Sequence, residues 1–211
     1  ETKLGTVLEK LNLAADADDE SWERLDALAE ELRRTERYIE QALFYARSET
    51  VEKDYLVRRH NLRGLVTSAL RANSHALIGA HVAVFMQGLD RDVYADDKWV
   101  AFILGQIIQN SVKYARDEGA EITFEARLVG AGMSDEHVEL AVRDNGCGVS
   151  AADLPRVFDK GFTGDNGRTA RTGKRATGLG LYLVKRLCDK MGLGISASSR
   201  EGEGFCVTIA F

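Results

Sequence analysis

Apolar residues recur at two different intervals along this chain, and the interval changes near residue 50. Before that point the steps are three and four residues, which is the spacing of amphipathic helices. A stretch rich in Ala and Asp at 14–19 interrupts the series and offers helix caps, so two helices joined by a short loop are predicted. The apolar positions are Leu4, Val7 or Leu8, and Leu11 in the first helix, and Trp22, Leu25, Ala29, Leu32, Ile39, Leu43 and Ala46 in the second, where Glu36 interrupts the seam.

A helical hairpin of this length buries its apolar seam poorly on its own. Pairing of two chains into a four-helix bundle would bury both seams, so residues 1–50 are predicted to dimerise. Packing of the hairpin against the remainder of its own chain is the alternative.

From residue 51 onward, short runs of alternating character predict strands, and longer runs with helical spacing lie between them. The predicted strands lie near 55–59, 81–88, 91–95, 121–128, 137–143, 194–199 and 205–211, and the predicted helices near 61–78, 97–116 and 180–191. Glu-Gly-Glu-Gly at 201–204 is typical of a hairpin turn. The predicted fold class is α+β, a two-layer α/β sandwich preceded by the helical hairpin, with a mixed sheet covered by helices on one face.

The helix predicted at 97–116 carries a polar stripe in an otherwise apolar pattern. Gln106, Asn110 and Lys113 are separated by four and three residues, so their side chains share one face. An Asn carbonyl oxygen suits Mg²⁺, and a lysine on the same face can neutralise phosphate. Taken alone, such a stripe is more often the solvated face of a surface helix.

A glycine-rich turn, Asp144-Asn145-Gly146-Cys147-Gly148, follows the strand predicted at 137–143. Its two glycines let the backbone approach a flat ligand closely. A carboxylate at the strand end can accept a hydrogen bond from an exocyclic amine, which suits adenine better than guanine. Asp-Asn-Gly is also good turn chemistry, and a plain hairpin turn is the alternative.

The third segment runs from Phe158 and Phe162 to Gly178-Leu179-Gly180, which leads into a helix. Its centre, 161–176, is rich in Gly, Thr and Arg and has no apolar periodicity. This composition fits a mobile lid that closes over phosphates, and it also fits a plain surface loop. Glycines at a helix N-terminus offer free N–H groups and the positive end of the helix dipole to an anion. The segments together predict a site for a purine nucleotide, a divalent metal and a triphosphate.

Composition narrows the classes of function. The chain has 211 residues and a formal net charge of −5, which argues against general affinity for nucleic acid. Its three cysteines form no Cys-x-x-Cys pair, which fits a reducing compartment. No apolar run approaches membrane-spanning length, and the four histidines show no metal-ligand spacing.

In this order, the segments resemble the catalytic and ATP-binding domain of bacterial sensor histidine kinases. That domain belongs to the GHKL superfamily, which includes type II topoisomerases, heat-shock chaperones and mismatch-repair proteins. The family's N box is matched at 102–114, its first glycine box at 144–148, its phenylalanine box at 157–162 and its second glycine box at 177–181. The resemblance covers about residues 55–211. It implies a catalytic ATP-binding domain at 51–211 behind a dimerisation and phosphotransfer hairpin at 1–50.

The resemblance also implies roles for individual residues. Asn110 would bind Mg²⁺, Lys113 would contact phosphate, and Asp144 would read the adenine amino group. Asn110 and Lys113 would thereby be catalytic residues. The other cofactor-binding positions it implies are Tyr114, Gly146, Gly148, Phe158, Phe162, Thr177, Gly178, Leu179 and Gly180.

The activity implied is that of a homodimeric kinase with ATP and Mg²⁺ as cofactors. It would transfer the γ-phosphoryl group to a histidine and then to an aspartate on a response-regulator receiver domain. In the family the acceptor begins a His-Glu-x-Lys-like motif. Glu1 and Lys3 would follow it, which puts the acceptor just before residue 1 and makes Glu1 catalytic. The family's usual Thr-Pro is Leu4-Gly5 here, which leaves this alignment open.

The amino-acid sequences of these boxes are similar to those of small intramembrane-sensing kinases that work beside antimicrobial-peptide ABC transporters. This subgroup implies an ABC transporter as partner, and it implies that these residues are the cytoplasmic portion of a membrane protein. Two departures are Gln106, where many kinases carry Asn, and Cys147, where an aliphatic residue is commoner.

Two other classes of function are compatible with parts of the pattern. One is a chaperone-like or topoisomerase-like ATPase of the same fold. The short connection between 148 and 177 and the N-terminal hairpin argue against it. The other is a non-catalytic nucleotide-binding scaffold, which the presence of Asn110, Lys113 and Asp144 argues against.

Overall fold

The structure is a computed structural model that describes residues 55–164 and 177–211, together with four positions nearer the N-terminus. The chain divides into two compact units, Glu1–Ser48 and Glu49–Phe211. In the first unit the described residues are Leu28, Leu32, Thr35 and Ile39; all four are helical and exposed. The predicted hairpin as a whole, including Glu1, lies outside the described residues.

The second unit combines strands and helices. Its helices are α1 (Leu62–Ala72), α2 (Ser74–Gly79), α3 (Asp97–Lys113) and α4 (Gly180–Lys190), with a 3-10 turn at Leu154–Arg156. Its strands are β1 (Arg58–Asn61), β2 (Ala83–Gln87), β3 (Asp92–Ala95), β4 (Glu121–Val129), β5 (His137–Asp144), β6 (Gly194–Arg200) and β7 (Gly204–Ala210).

The main sheet has five strands in the order β2-β4-β5-β7-β6. Strand β2 pairs in parallel with β4, and the other pairs are antiparallel, so the sheet is mixed as predicted. The predicted turn at 201–204 does join β6 to β7. Strands β1 and β3 form a separate antiparallel pair.

The core lies on one face of the sheet, and it is fixed by the two-residue alternation of the central strands. The central residues of β4, β5 and β7 that share this face by register are buried, whereas Glu125 and Arg143 on the opposite face are exposed. Helix α3 packs against both α1 and α4. The two-layer prediction is therefore confirmed. The buried strand residues are Ile122, Phe124, Leu140, Val142, Val207 and Ile209, and α3 buries Ile103, Leu104, Ile107 and Ile108.

Three predicted elements have different bounds in the structure, and one of them, the helix predicted at 97–116, ends at Lys113. The helix predicted at 61–78 is two helices, because Asn73 lies between them with its side-chain amide donating to the Ala69 carbonyl at 2.8 Å. Such a bond competes with helix continuation. The strand predicted at 55–59 is shifted to 58–61, because the Leu56 N–H donates to Asp96 Oδ2 at 2.9 Å instead of to a strand.

Candidate nucleotide-binding site

Helix α3 holds the predicted polar stripe, and its N-terminus is well anchored. The Asp96 carboxylate accepts hydrogen bonds from the N–H groups of Lys98 and Trp99, so Asp96 is the N-cap. Along the stripe, Gln106 is buried and Asn110 is half-buried. At the end of the helix the Lys113 amine lies 5.1 Å from the centre of the Tyr114 ring, within cation–π range.

Asp144 is the last residue of β5, and its side chain is only 8% exposed. Its Oδ1 accepts the N–H groups of Gly146 at 3.0 Å and Phe205 at 3.2 Å. Its Oδ2 accepts the Ser111 hydroxyl at 2.8 Å. Burial raises the pKa of Asp144 above its ordinary value, and these three hydrogen bonds oppose that rise because they favour the charged form.

The turn after Asp144 is held by close backbone contacts that leave no room for side chains. A β-carbon on Gly146 would overlap the Tyr114 carbonyl oxygen, and one on Gly148 would overlap the Arg200 carbonyl oxygen. The Cys147 N–H also donates to the Tyr114 carbonyl at 3.2 Å. The first glycine box is thus fixed between the end of α3 and the β6–β7 hairpin.

The second glycine box meets the polar stripe at the start of α4. A β-carbon on Gly180 would lie 3.0 Å from Gln106 Oε1 and 3.8 Å from Asn110 Nδ2. Any residue larger than glycine would therefore crowd the Gln106 amide, and its β-carbon would be in ordinary van der Waals contact with Asn110. Next to it, the Leu179 N–H donates to the Thr177 hydroxyl at 3.4 Å, and Thr177 itself is exposed.

The phenylalanine box is joined to the second glycine box through the backbone. The Gly161 N–H donates to the Gly178 carbonyl at 3.0 Å, and a β-carbon on Gly178 would overlap the Gly161 backbone. This contact brings together the two ends of the predicted lid. Most of that lid, 165–176, lies outside the described residues.

The two phenylalanines have different surroundings. The Phe162 ring centre lies 4.7 Å from the Arg156 guanidinium carbon. Phe158 borders a groove of about 520 Å³ along α4, whose other lining residues are Tyr182, Lys185, Arg186, Asp189 and Lys190. Neither Asn110 nor Asp144 lines that groove.

The polar stripe of α3 can offer Mg²⁺ side-chain amide oxygens. The described residues contain no cluster of three or more His, Cys, Asp or Glu side chains suited to a metal. The stripe instead offers amide oxygens, on Gln106 and Asn110. Magnesium usually keeps several waters and takes few protein ligands beside substrate phosphates, so one amide oxygen is an adequate contribution.

Ser111 and the Phe205 N–H are site groups that the sequence analysis missed. The backbone group of Phe205 carries no sequence signal. Ser111 does carry one: it continues the apolar series Val100, Leu104 and Ile107 at a further step of four, and it is 4% exposed. A buried hydroxyl in an apolar series needs a partner, and here the partner is Asp144.

Residues 95–211 match the family model described as histidine kinase-, DNA gyrase B- and HSP90-like ATPase. That match covers more than half of the chain, which therefore belongs to this ATPase family. The resemblance to sensor histidine kinases is confirmed by named relatives.

The sensor histidine kinase YxdK of Bacillus subtilis (strain 168) is 30% identical over 207 residues, which are 98% of this chain and 61% of the relative. The sensor protein kinase GraS of Staphylococcus aureus (strain MRSA252) is 30% identical over 194 residues, 92% of this chain and 53% of the relative. The chain thus spans a little over half the length of these curated relatives.

Among solved structures, the Acinetobacter baumannii histidine kinase AdeS matches with a TM-score of 0.67 at 18% identity, covering 99% of this chain and 92% of that one. At this identity the match shows a shared fold. Within the part of the chain that the structure describes, no helix combines the length and apolarity needed to cross a membrane.

Proposed function

We propose that this chain is the catalytic portion of a two-component sensor histidine kinase and binds Mg-ATP between α3, the first glycine box and the start of α4. One observation carries the proposal: two consecutive residues of α3 meet the two glycine boxes. Asn110 lies beside Gly180, and Ser111 bonds to Asp144. One turn of α3 therefore contacts both the start of α4 and the buried Asp144 carboxylate. A helix start flanked by glycines is a common binding site for phosphate.

The end of the site that holds Asp144 suits adenine. Its Oδ1 already accepts two N–H groups, while Oδ2 accepts one hydroxyl and keeps a lone pair. The exocyclic amine of adenine could donate to that lone pair. Guanine presents a carbonyl oxygen at the equivalent position, which a carboxylate repels. We therefore assign base recognition to Asp144, with Gly146 and Gly148 keeping the adjacent backbone close.

The end of the site that holds Asn110 suits a metal–triphosphate. The Asn110 amide oxygen would hold Mg²⁺, and the Lys113 amine would neutralise phosphate charge. The first N–H groups of α4 would donate hydrogen bonds to phosphate oxygens, which can approach the helix closely because Gly178 and Gly180 have no side chains. When bound, Mg-ATP supplies the phosphoryl group and part of the charge neutralisation that its transfer requires. We also propose Tyr114, Phe158, Phe162, Thr177 and Leu179 as cofactor-binding residues.

The partners of the whole protein follow from its relatives' names. A sensor histidine kinase hands a phosphoryl group from histidine to a response-regulator receiver domain, and we propose this role here. The proposed homodimer through residues 1–50 is supported by Leu28, Leu32 and Ile39, which are helical, exposed and spaced by four and seven residues. The membrane attachment, the ABC transporter partner and the catalytic role of Glu1 remain proposals from the resemblance.

Nucleotide binding and labelling test this function in two stages. Calorimetry on this chain should show ATP binding that is strengthened by Mg²⁺ and is much tighter than GTP binding. The full-length protein, incubated with Mg-ATP, should then acquire an acid-labile phosphoryl group that passes to a receiver domain. Hydrolysis of ATP with no histidine label would favour an ATPase of the same fold, and equal ATP and GTP affinities would remove the Asp144 assignment.

A further inference from the structure

Ser111 and Asp144 form a buried pair that connects two distant segments of the chain. The Ser111 hydroxyl donates to Asp144 Oδ2 at 2.8 Å, and the two side chains are 4% and 8% exposed. They lie 33 positions apart, one on α3 and one at the end of β5. Hydrogen bonds to charged groups in such surroundings are short and directional.

The two oxygens of the Asp144 carboxylate are not equivalent. Oδ1 accepts the Gly146 and Phe205 N–H groups, which belong to the backbone and are fixed by the fold. Oδ2 has the Ser111 hydroxyl as its one partner within the described residues. Ser111 is therefore the one side chain among the described residues that bonds to Oδ2, and its hydroxyl occupies one of the two lone pairs of that oxygen.

We propose that Ser111 is a positioning residue for base recognition: its hydroxyl orients Asp144 Oδ2 so that the free lone pair meets an exocyclic amine and rejects a carbonyl. The inference rests on the proposed function, because it presupposes that Asp144 reads adenine. It adds a specificity determinant on α3, next to the proposed metal ligand Asn110. One helix would then control both ends of the nucleotide.

The electrostatic surroundings allow this role to be separated from a merely structural one. Burial raises the pKa of Asp144, and the Ser111 hydrogen bond lowers it, so loss of the hydroxyl raises the pKa further. Two other titratable groups interact electrostatically with this site: Cys147 interacts with Asp144, and Tyr114 interacts with Cys147. Burial raises the pKa of the Cys147 thiol and of the Tyr114 hydroxyl above their ordinary values. Both therefore stay protonated below about pH 8, so an acid titration of the Asp144 carboxyl is not confused with theirs.

The test compares Ser111→Ala, Ser111→Thr and Ser199→Ala in the whole chain. Ser199 is the matched control: its hydroxyl accepts the Val149 N–H at 2.8 Å and donates to the Gly204 carbonyl at 2.7 Å, so it is a serine with two bonds to backbone outside the glycine box and none to Asp144. Calorimetry with ATP and GTP gives affinity and selectivity. A carboxyl-carbon NMR titration of the nucleotide-free protein gives the Asp144 midpoint.

Ser111→Ala should lower ATP affinity by about tenfold at pH 7.5, leave GTP affinity nearly unchanged, and move the Asp144 midpoint upward. Ser111→Thr keeps a hydroxyl and should restore most of the selectivity, whereas Ser199→Ala should leave the ATP-to-GTP ratio and the midpoint as in the wild type. If Ser111→Ala lowers thermal stability but leaves both readouts unchanged, the proposal is overturned and Ser111 is structural. Failure of the wild type to bind ATP would instead overturn the proposed function itself.

Discussion

The proposed base end and the proposed phosphate end of the candidate site are built in different ways. At the base end, 144–148 and the β6–β7 hairpin, backbone packs on backbone: β-carbons on Gly146, Gly148 and Gly204 would each overlap a carbonyl oxygen. At the phosphate end, the Gln106 and Asn110 side-chain amides of α3 lie beside Gly180 at the start of α4. Asn110 and Lys113 there are half-buried and have rotatable bonds.

Because of this difference, we expect substitutions at the two ends to have different effects. Backbone contacts fix Asp144 before any ligand arrives, which lowers the entropy lost on binding. Side chains on one helix face can adjust to a metal and three phosphates, but they must be ordered when the ligand binds. Substitutions at the base end should therefore affect folding or base selectivity, and substitutions at the phosphate end should affect binding of the metal and phosphates.

The largest expected effect is on folding, from Gly148→Ala. Gly148 has a φ of 65°, and its β-carbon would overlap the Arg200 carbonyl oxygen. The left-handed conformation and the overlap together should destabilise the protein by about 3–5 kcal/mol in urea unfolding. Gly192 has a similar φ of 69° with open space around it, so Gly192→Ala should cost only about 1–2 kcal/mol. Equal losses would mean that the backbone contact at the base end contributes nothing.

Asp144→Asn tests the base end for selectivity instead of folding. The amide retains the shape of the side chain but loses the charge that accepts an amine. ATP binding should weaken by about 1.5–3 kcal/mol, the range for a hydrogen bond to a charged group. Calorimetry should also show the preference for ATP over GTP reduced by a similar factor. An unchanged ATP-to-GTP ratio would place base recognition elsewhere.

Asn110→Ala tests the phosphate end. It should remove the gain in ATP affinity that Mg²⁺ provides, by about 10–100-fold, and leave adenosine binding close to the wild type. Gln109→Ala is the matched control, because this neighbouring amide of α3 bonds to Asn73 Oδ1 at 3.4 Å, away from Gly180. Calorimetry with Mg²⁺ and with a chelator separates the two variants. An equal loss of adenosine and Mg-ATP affinity in Asn110→Ala would show that Asn110 is structural.

Local patterns predicted much of this fold because the contacts that define it are local. Alternation predicted six of the seven strands within about two residues of their observed bounds, and the helix predicted to begin at 97 does begin at Asp97, with Asp96 as its cap. The polar stripe of α3 could be predicted from the sequence for the same reason, since residues four apart on a helix share a face.

The rest depends on contacts between distant segments. The Phe205 N–H reaches Asp144 from 61 positions along the chain, and a backbone donor leaves no mark in the sequence. The break at Asn73 depends on whether its amide bonds to Ala69 or points outward, which propensity does not decide. Ser111 lies between these cases, because a hydroxyl in an apolar series predicts a partner without identifying it.

The smallest expected effect is the pH dependence of adenosine binding, which reports the ionisation of Asp144. Burial raises the pKa of this carboxyl, and only its ionised form accepts the amine well. Adenosine affinity should therefore fall as pH drops through the raised pKa, by less than about tenfold per pH unit because one proton is involved. Adenosine is the appropriate probe because it has no titrating phosphate.

Folding stability should change with pH in the opposite direction. The folded-state pKa of Asp144 lies above the unfolded value, so in the window between them the folded state binds more protons. The contribution of Asp144 to stability is thus present at low pH and is lost as pH rises through the folded pKa. Asp144→Asn should remove both slopes. If adenosine affinity in that variant still falls with acid as in the wild type, the titrating group is not Asp144, and the base end does not owe its selectivity to this carboxylate.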